Sequence, residues 1–440
     1  MTATPASDMS PLGSHWDASL NQLYQPFLAT MPRTYTYHEL LWCTVERTKG
    51  SLDWTPVDRL VDFGNSLGIQ TLLKVRTGTC WATGSAGSSP TLGKTASTMP
   101  TDMAAYAGFL TTLVTRYAAK GVHEYAIENE VNGPDYWGGT PDQYIDLVKA
   151  AATAIHAVDP TAVVLDAGMS SISYGYGMTK ARLDTGDVTG AIATWNSYYA
   201  QRSGTRGPQL LQVSTRAELD DQLASSQGQR NLAYLQVASA LAADQIVGVR
   251  QVHFYEDASE ADALMDYVRA TTRTSTPIEV WEAGIFRKGG GADVATQEQT
   301  DAMIRTTCRL LASGATKVLW LPLAAHEIPK AGEEIRGGLL DPSGGTRPAG
   351  RIVATLAAAS IGATVSSVQG SGYQGVRFTI GTTASLVLWA RSGTATVTLS
   401  QDARVSDLFA DTQRTTRTIV LSPSPVLVST TRDVADHLSP

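Results

Sequence analysis

Two short stretches hold the residues best suited to chemistry. "YAIENEVNG" (125–133) places Glu128, Asn129, Glu130 and Asn132 directly after an apolar run, and "IEVWEAG" (278–284) does the same with Glu282. Burying an unpaired carboxylate costs on the order of several kcal/mol, so such a cluster belongs where a strand ends. Two carboxyl groups facing each other across a cleft suit glycosidic bond cleavage. One protonates the leaving oxygen while the other attacks the anomeric carbon, at a separation of about 5 to 5.5 Å when configuration is retained. The acid needs surroundings that lift its pKa, and the nucleophile needs donors that keep it ionised. Each stretch also has a tryptophan beside it, Trp137 after the first and Trp281 within the second, and an aromatic face suits the apolar face of a sugar ring.

The elements that must position these residues follow from periodicity. Eight apolar runs read as strands: 12–16, 36–42, 70–76, 122–129, 162–168, 246–254, 278–284 and 317–323. Helical patterns separate them. "TPVDRLVDFGNSLG" carries Val57, Leu60, Val61 and Leu67 on one side, with Thr55 expected as N-cap and Pro56 at the first helical position. In "TPDQYIDLVKAAATAIHAV", Thr140 caps, Gln143 completes a capping box, and Tyr144, Leu147, Ala151 and Ile155 form the inner face. Strand-helix alternation predicts a parallel sheet, and eight units predict a closed (β/α)8 TIM barrel, whose chemistry lies at the C-terminal ends of its strands. There is no Gly-rich dinucleotide fingerprint to favour an open doubly wound sheet. Glu130 then ends strand four and Glu282 strand seven. Glu128 shares the parity of Glu130 and could point into the barrel one layer below, whereas Glu279 near the start of its strand reads as structural.

After "RPAGRIVATLAAASIG" the pattern changes to short alternating strands between Gly, Ser, Thr and Asp turns, a small C-terminal antiparallel β-sandwich. The expected division is a flexible leader at 1–11, the barrel at 12–358 and the sandwich at 359–440. Lys plus Arg number 34 against 41 Asp plus Glu, with no basic block, which argues against a nucleic-acid partner. No apolar run of transmembrane length and no signal peptide are evident, so no membrane partner is expected; the chain is secreted if its N-terminus is trimmed and cytoplasmic otherwise. Cys43, Cys80 and Cys308 suggest neither a disulfide framework nor a zinc site, and Cys308 reads as a small core residue in a helix. Oligomeric state is open.

The stretch from Tyr125 to Gly168 resembles the Asn-Glu motif of the clan A glycoside hydrolases, especially family 39 and its relatives, and "PIEVWEAG" resembles their strand-seven motif. The likeness spans roughly residues 12 to 350. Val131 replaces the usual Pro after Asn-Glu, and Trp281 replaces the Thr or Ser before the second Glu, so the likeness is to the clan before any one family. It implies Glu130 as acid/base, Glu282 as nucleophile and Asn129 as the amide touching the sugar hydroxyl beside the cleaved bond. It further implies His253 and Tyr255 near the nucleophile and Trp320 as the floor of the neighbouring subsite. "LLWCTVERTKGSLDW" resembles a clan stretch in which Trp42, Glu46 and Trp54 mark the fold, and "RGGLLDPSGGTRPAGRIVATL" resembles the segment that closes the barrel.

Lys74 and Arg76 at the end of strand three, and His15 and Trp16 at the end of strand one, complete the candidate binding residues. A cationic pair at the mouth suits an acidic sugar, or else forms salt bridges with the local carboxylates. The expected partner is a carbohydrate, and no metal or organic cofactor is expected because the two carboxyl groups supply both proton and nucleophile. Scattered His123, His156, His253 and His326 give no zinc motif, and a Gly-x-Ser-x-Gly elbow is missing. Transglycosylation by the same intermediate and an inactive carbohydrate-binding barrel remain as alternatives. The sugar, its linkage and exo or endo action are not legible.

Overall fold

The computed structural model describes residues 8–84, 96–202, 210–273, 275–286, 295–324 and 335–438. His326 and residues 1–7 of the expected leader lie outside them. Eight parallel strands form one sheet: β1 (Leu12–Ser14), β2 (Tyr35–Leu41), β3 (Gln70–Arg76), β4 (Glu124–Ile127), β5 (Val163–Leu165), β6 (Arg250–Phe254), β7 (Ile278–Ala283) and β8 (Ala315–Trp320). Their order in the sheet is β5-β4-β3-β2-β1-β8-β7-β6. Single parallel bridges from Leu165 to Val249 and from Met169 to Val252 join the two edges and close the ring. Ser10 of the expected leader belongs to the folded body instead: it is buried, bonds Arg33 through its backbone and contacts the Ser360 hydroxyl at 2.7 Å.

Period-two alternation sorts each strand into a face toward the barrel axis and a face toward the helices. At the N-terminal end, Lys317 lies between Glu124 and Glu279, at 2.7 and 2.6 Å. Above this ion cluster comes an apolar layer of Tyr37, Leu72, Ala126, Leu165, Val249, Trp281 and Leu319. The third layer is polar and is the site described below. Outside the ring, helix Pro141–Val158 starts with the expected capping box between Thr140 and Gln143, and buries Tyr144, Leu147, Ala151 and Ile155 against the strands. Helix Thr55–Ser66 departs from expectation. Trp54 is its N-cap, and Thr55, whose N–H donates to Asp53 at 3.0 Å, is its first residue. The Asp53 side chain takes the part assigned to Thr55.

Cys43 and Cys80 form a disulfide, which corrects the reading of three unrelated thiols. Distance in sequence hid it: Cys43 follows β2 and Cys80 follows β3, and adjacent parallel strands bring the segments after them together. Cys308 is free and buried in helix Gln297–Ala312, as expected.

Helix Pro348–Ser360 ends the barrel. Six antiparallel strands follow: β9 (Thr364–Gly370), β10 (Tyr373–Ile380), β11 (Thr383–Ala390), β12 (Ala395–Asp407), β13 (Thr412–Leu421) and β14 (Val426–Thr431). Their order is β9-β10-β11-β14-β12-β13. A register shift between Thr398 and Ala403 bends β12, which lets the sheet enclose its own core of Leu386, Leu388, Val397, Val405, Ile419 and Val428. Its other face contributes Val376, Phe378, Val387 and Trp389 to the core continuous with the barrel helices.

Candidate active site

β4 stops at Ile127, and the next residues leave the strand abruptly. Glu128 and Glu130 both have positive φ, 69° and 41°, which a residue with a Cβ adopts only when its surroundings hold it. Those surroundings are visible. The Glu130 N–H donates to the carbonyls of Ala167 and Gly168 after β5, and its own carbonyl accepts from Gly133 at 2.7 Å. Asn132 is tied to Ser170 and Asn231, at 2.7 Å each, while Arg230 donates to the carbonyls of Val131, Asn132 and Trp137. The left-handed turn also overrides strand parity at Glu128. Its carboxylate accepts from the Thr77 N–H at 2.6 Å, at the end of β3, and burial raises its pKa. It braces that junction.

Glu282 reaches the cleft by a second irregularity. Alternation would turn Trp281 and Glu282 to opposite faces, but the pairing of β7 with both neighbours shifts register here, so both point inward. Trp281 fills the apolar layer and Glu282 the layer above. The Glu282 carboxylate accepts from Tyr255 at 2.6 Å and from Tyr37 at 3.3 Å, and forms a short contact with the Lys74 ammonium. Burial opposes its ionisation. His253, the Lys74 charge and the hydrogen bonds from Lys74 and Tyr255 outweigh burial and hold the carboxyl well below the usual range. Burial raises the pKa values of Tyr37 and Tyr255 far above 10, so both remain donors.

His253 joins the two carboxyl groups, with Nδ1 at 2.9 Å from Glu130 and 3.4 Å from Glu282. Its Nε2 meets Gln251 at 3.0 Å and Lys74 at 3.2 Å. Gly168 permits this packing, since a Cβ at its φ of 62° would stand 2.5 Å from His253 Nε2. Asn129 Oδ1 accepts from Lys74 at 2.8 Å. Arg76 donates to Glu39 at 2.7 Å and to the Tyr136 carbonyl at 3.1 Å. Lys74 and Arg76 are thus buried and engaged with carboxylates inside the protein, the salt-bridge alternative for this pair. Glu256, beyond β6, is paired with Arg202 at 2.6 Å.

A cleft of about 360 Å³ opens over Glu282, lined by His15, Tyr37, Glu39, Leu41, Arg76, Asn129, Tyr136 and Leu321. The His15 ring stacks on Tyr37 at 4.2 Å, and burial lowers its pKa, which favours the neutral ring. The tryptophans expected to hold a sugar do other work. Trp137 packs edge-on against Tyr144, Trp281 donates to Glu279 at 2.7 Å below the cleft, and Trp16 donates to Asn21 and packs on Phe63. All three are buried, with no ring face free for a ligand. Trp320 donates to the Gly337 carbonyl at 2.7 Å, and its neighbour Leu321 lines the cleft instead, as strand parity requires of consecutive residues. Trp42 and Glu46, the expected fold markers, bond each other at 2.6 Å. Sequence reading missed Tyr37, Glu39, Tyr136 and Gln251. The inward parity of Tyr37 and Glu39 in β2 and of Gln251 in β6 was the available signal.

One oxygen of Glu130, one of Glu282 and a ring nitrogen of His253 lie within 4.8 Å of one another. The Lys74 ammonium already stands against Glu282 and 3.2 Å from His253, a positive charge that suits a hydrogen-bonded carboxylate pair better than a metal cation. No helix among the described residues is long and apolar enough to cross a membrane.

No protein-family model matches the chain, and no curated protein does. Solved structures do. The chain has the fold of clan A glycoside hydrolases of families 39 and 30. A family 39 glycoside hydrolase from Bacteroides cellulosilyticus superposes with a TM-score of 0.62 at 15% identity, over 96% of this chain and 81% of that one. A family 39 β-xylosidase from Caulobacter crescentus gives 0.60 at 14% identity, over 98% of both chains. A family 30 endoxylanase from Clostridium papyrosolvens gives 0.57 at 11% identity, over 97% of this chain and 98% of the other.

Proposed function

We propose that the protein is a retaining glycoside hydrolase acting on an O-glycosidic bond of an oligo- or polysaccharide, with Glu130 as acid/base and Glu282 as nucleophile. The approach of the two carboxyl groups within 4.8 Å, with His253 between them, carries this reading. An inverting pair stands about 6.5 to 9.5 Å apart to admit a water, and carboxylate oxygens as near as these favour retention. Glu282, kept ionised by its donors, attacks the anomeric carbon. Glu130 delivers its proton to the departing oxygen, and a covalent glycosyl-enzyme forms. Glu130, now a carboxylate, deprotonates the water that attacks the same carbon and frees Glu282. Asn129, held by Lys74 at its oxygen, keeps its amide NH₂ for a sugar hydroxyl. The names of two neighbours, a β-xylosidase and an endoxylanase, make aryl β-xylosides the first substrates to test.

The deciding measurement is the configuration of the first sugar released, followed by NMR, beside two variants. Glu282→Gln should form no intermediate with the fold intact, because an amide does not replace the carboxylate nucleophile. Glu130→Gln should lose turnover of substrates with poor leaving groups, yet still accumulate the intermediate from an activated aryl glycoside. Inversion, or near-normal turnover by a folded Glu282→Gln protein, would sink the assignment.

A further inference from the structure

Double displacement by Glu130 and Glu282 does not itself demand a cation, yet the charged end of a fully buried lysine contacts the nucleophile. The Lys74 ammonium donates to a Glu282 oxygen and to Asn129 Oδ1 at 2.8 Å, and its nitrogen lies 3.2 Å from His253 Nε2. The face of Tyr37, 4.4 Å away, covers the ammonium from below. A charge so enclosed is stable only with its counter-ion in contact.

Resting on the retaining reading above, we propose that Lys74 is a positioning residue that governs the second half of the reaction, by making Glu282 a good leaving carboxylate when the glycosyl ester breaks. The charge movements give the reason. In the first half, the bond from the anomeric carbon to the leaving oxygen breaks, the bond to Glu282 forms, and the Glu130 proton goes to the leaving group. Negative charge therefore moves from Glu282 to Glu130. Lys74 loses its contact partner and is left with a more distant one, reached through His253, which touches Lys74 at Nε2 and Glu130 at Nδ1. In the second half, water bonds to the carbon, its proton goes to Glu130, and the electron pair of the broken ester returns to Glu282 against the waiting ammonium. A fixed cation opposes the step that erases the charge beside it and assists the step that restores it. With Lys74 in place, formation of the intermediate is slow and its breakdown fast.

The groups facing Glu282 are His15 after β1, Tyr37 from β2, Lys74 from β3, Glu130 and Tyr136 after β4, His253 from β6 and Tyr255 just after it. Arg76 and Glu39 are paired with each other at the edge of the cleft. Among these, Lys74 is the lysine in contact with the nucleophile, so its removal has a distinct readout. The probe is 2,4-dinitrophenyl β-D-xyloside. In Lys74→Met, kcat should fall about tenfold or more beyond any fall in kcat/KM. A burst of dinitrophenol should appear, and intact mass should show a glycosyl group on the protein. The acid limb of kcat/KM should rise by about one pH unit or more, because Glu282 loses a charge that favours its ionised form. Lys74→Arg keeps a cation and should keep the wild-type limb without a burst.

A folded Lys74→Met protein with no burst, equal losses in kcat and kcat/KM and an unmoved limb would overturn the proposal. If the methionine variant does not fold, Lys74→Arg decides: wild-type partition and limb support the role, and a burst with a displaced limb overturns it. Inversion by the unmutated protein would remove the retaining reading itself, whereas retention with a silent Lys74→Met removes only the role of Lys74.

Discussion

At the scale of single residues, the nucleophile candidate owes its ionisation to donors from three strands, and those donors are separable. Tyr255 holds one carboxylate oxygen at 2.6 Å and stays protonated through burial. Tyr255→Phe should keep the fold and lower kcat/KM by roughly 10- to 100-fold, since a hydrogen bond to a charged group is worth about 1.5 to 3 kcal/mol. Thermal unfolding beside kinetics checks this; an unchanged kcat/KM would show that the bond is idle. Glu130 and Glu282 stood out in the sequence as candidates because each stands where an apolar run ends, although Glu128 does too and braces a junction instead. His253 and Tyr255 were implied by the resemblance to the clan A enzymes, and their two-residue spacing is consistent with one face. The tryptophans misled for a physical reason. An indole beside a catalytic-looking motif is as easily a core residue with its N–H satisfied by a carbonyl or carboxylate, and Trp137, Trp281 and Trp320 are that.

At the scale of elements, the strand cores were readable and their irregularities were not. β3 spans Gln70–Arg76 as its apolar run indicates, but the register shift that turns Glu282 inward leaves no mark in composition. The left-handed residues that follow β4 are equally silent, since both are glutamates where glycine would be the sign. The same strands carry the ion cluster at the opposite end of the barrel, and it has a consequence for stability. Burial and the nearby Glu279 push the Glu124 carboxyl up to about 7, against the pull of Lys317. A carboxyl whose pKa is higher in the folded chain than in the unfolded one binds more protons when folded, so stability falls as pH rises from about 4.5 to about 7. Glu124→Gln should flatten that slope. Melting temperatures of both proteins at pH 5 and pH 8 test it, and an equally steep decline in the variant would place its origin elsewhere.

At the scale of the whole molecule, alternation of strand and helix foretold the barrel, and the change of pattern near residue 360 foretold a β-structured end. The Cys43–Cys80 bond was hidden because it depends on which strands become neighbours. So was the way the ring closes. β5 and β6 meet through two isolated bridges, Leu165 to Val249 and Met169 to Val252, each with a residue outside the strands themselves. Side chains fasten this seam: buried Asp166 accepts from Arg250 at 2.7 Å and from the Gln251 N–H at 3.0 Å, and Gln251 donates back to the Asp166 carbonyl at 2.8 Å. Asp166→Asn should weaken it, and hydrogen–deuterium exchange should speed up at residues 163–169 and 249–253 before it does in β2 and β3; uniform acceleration would show no local seam. Gly168 and His253 lie on opposite sides of that joint. The barrel is therefore a sheet rolled up and buttoned rather than a ring woven shut, and its buttons are beside the residue that touches both glutamates.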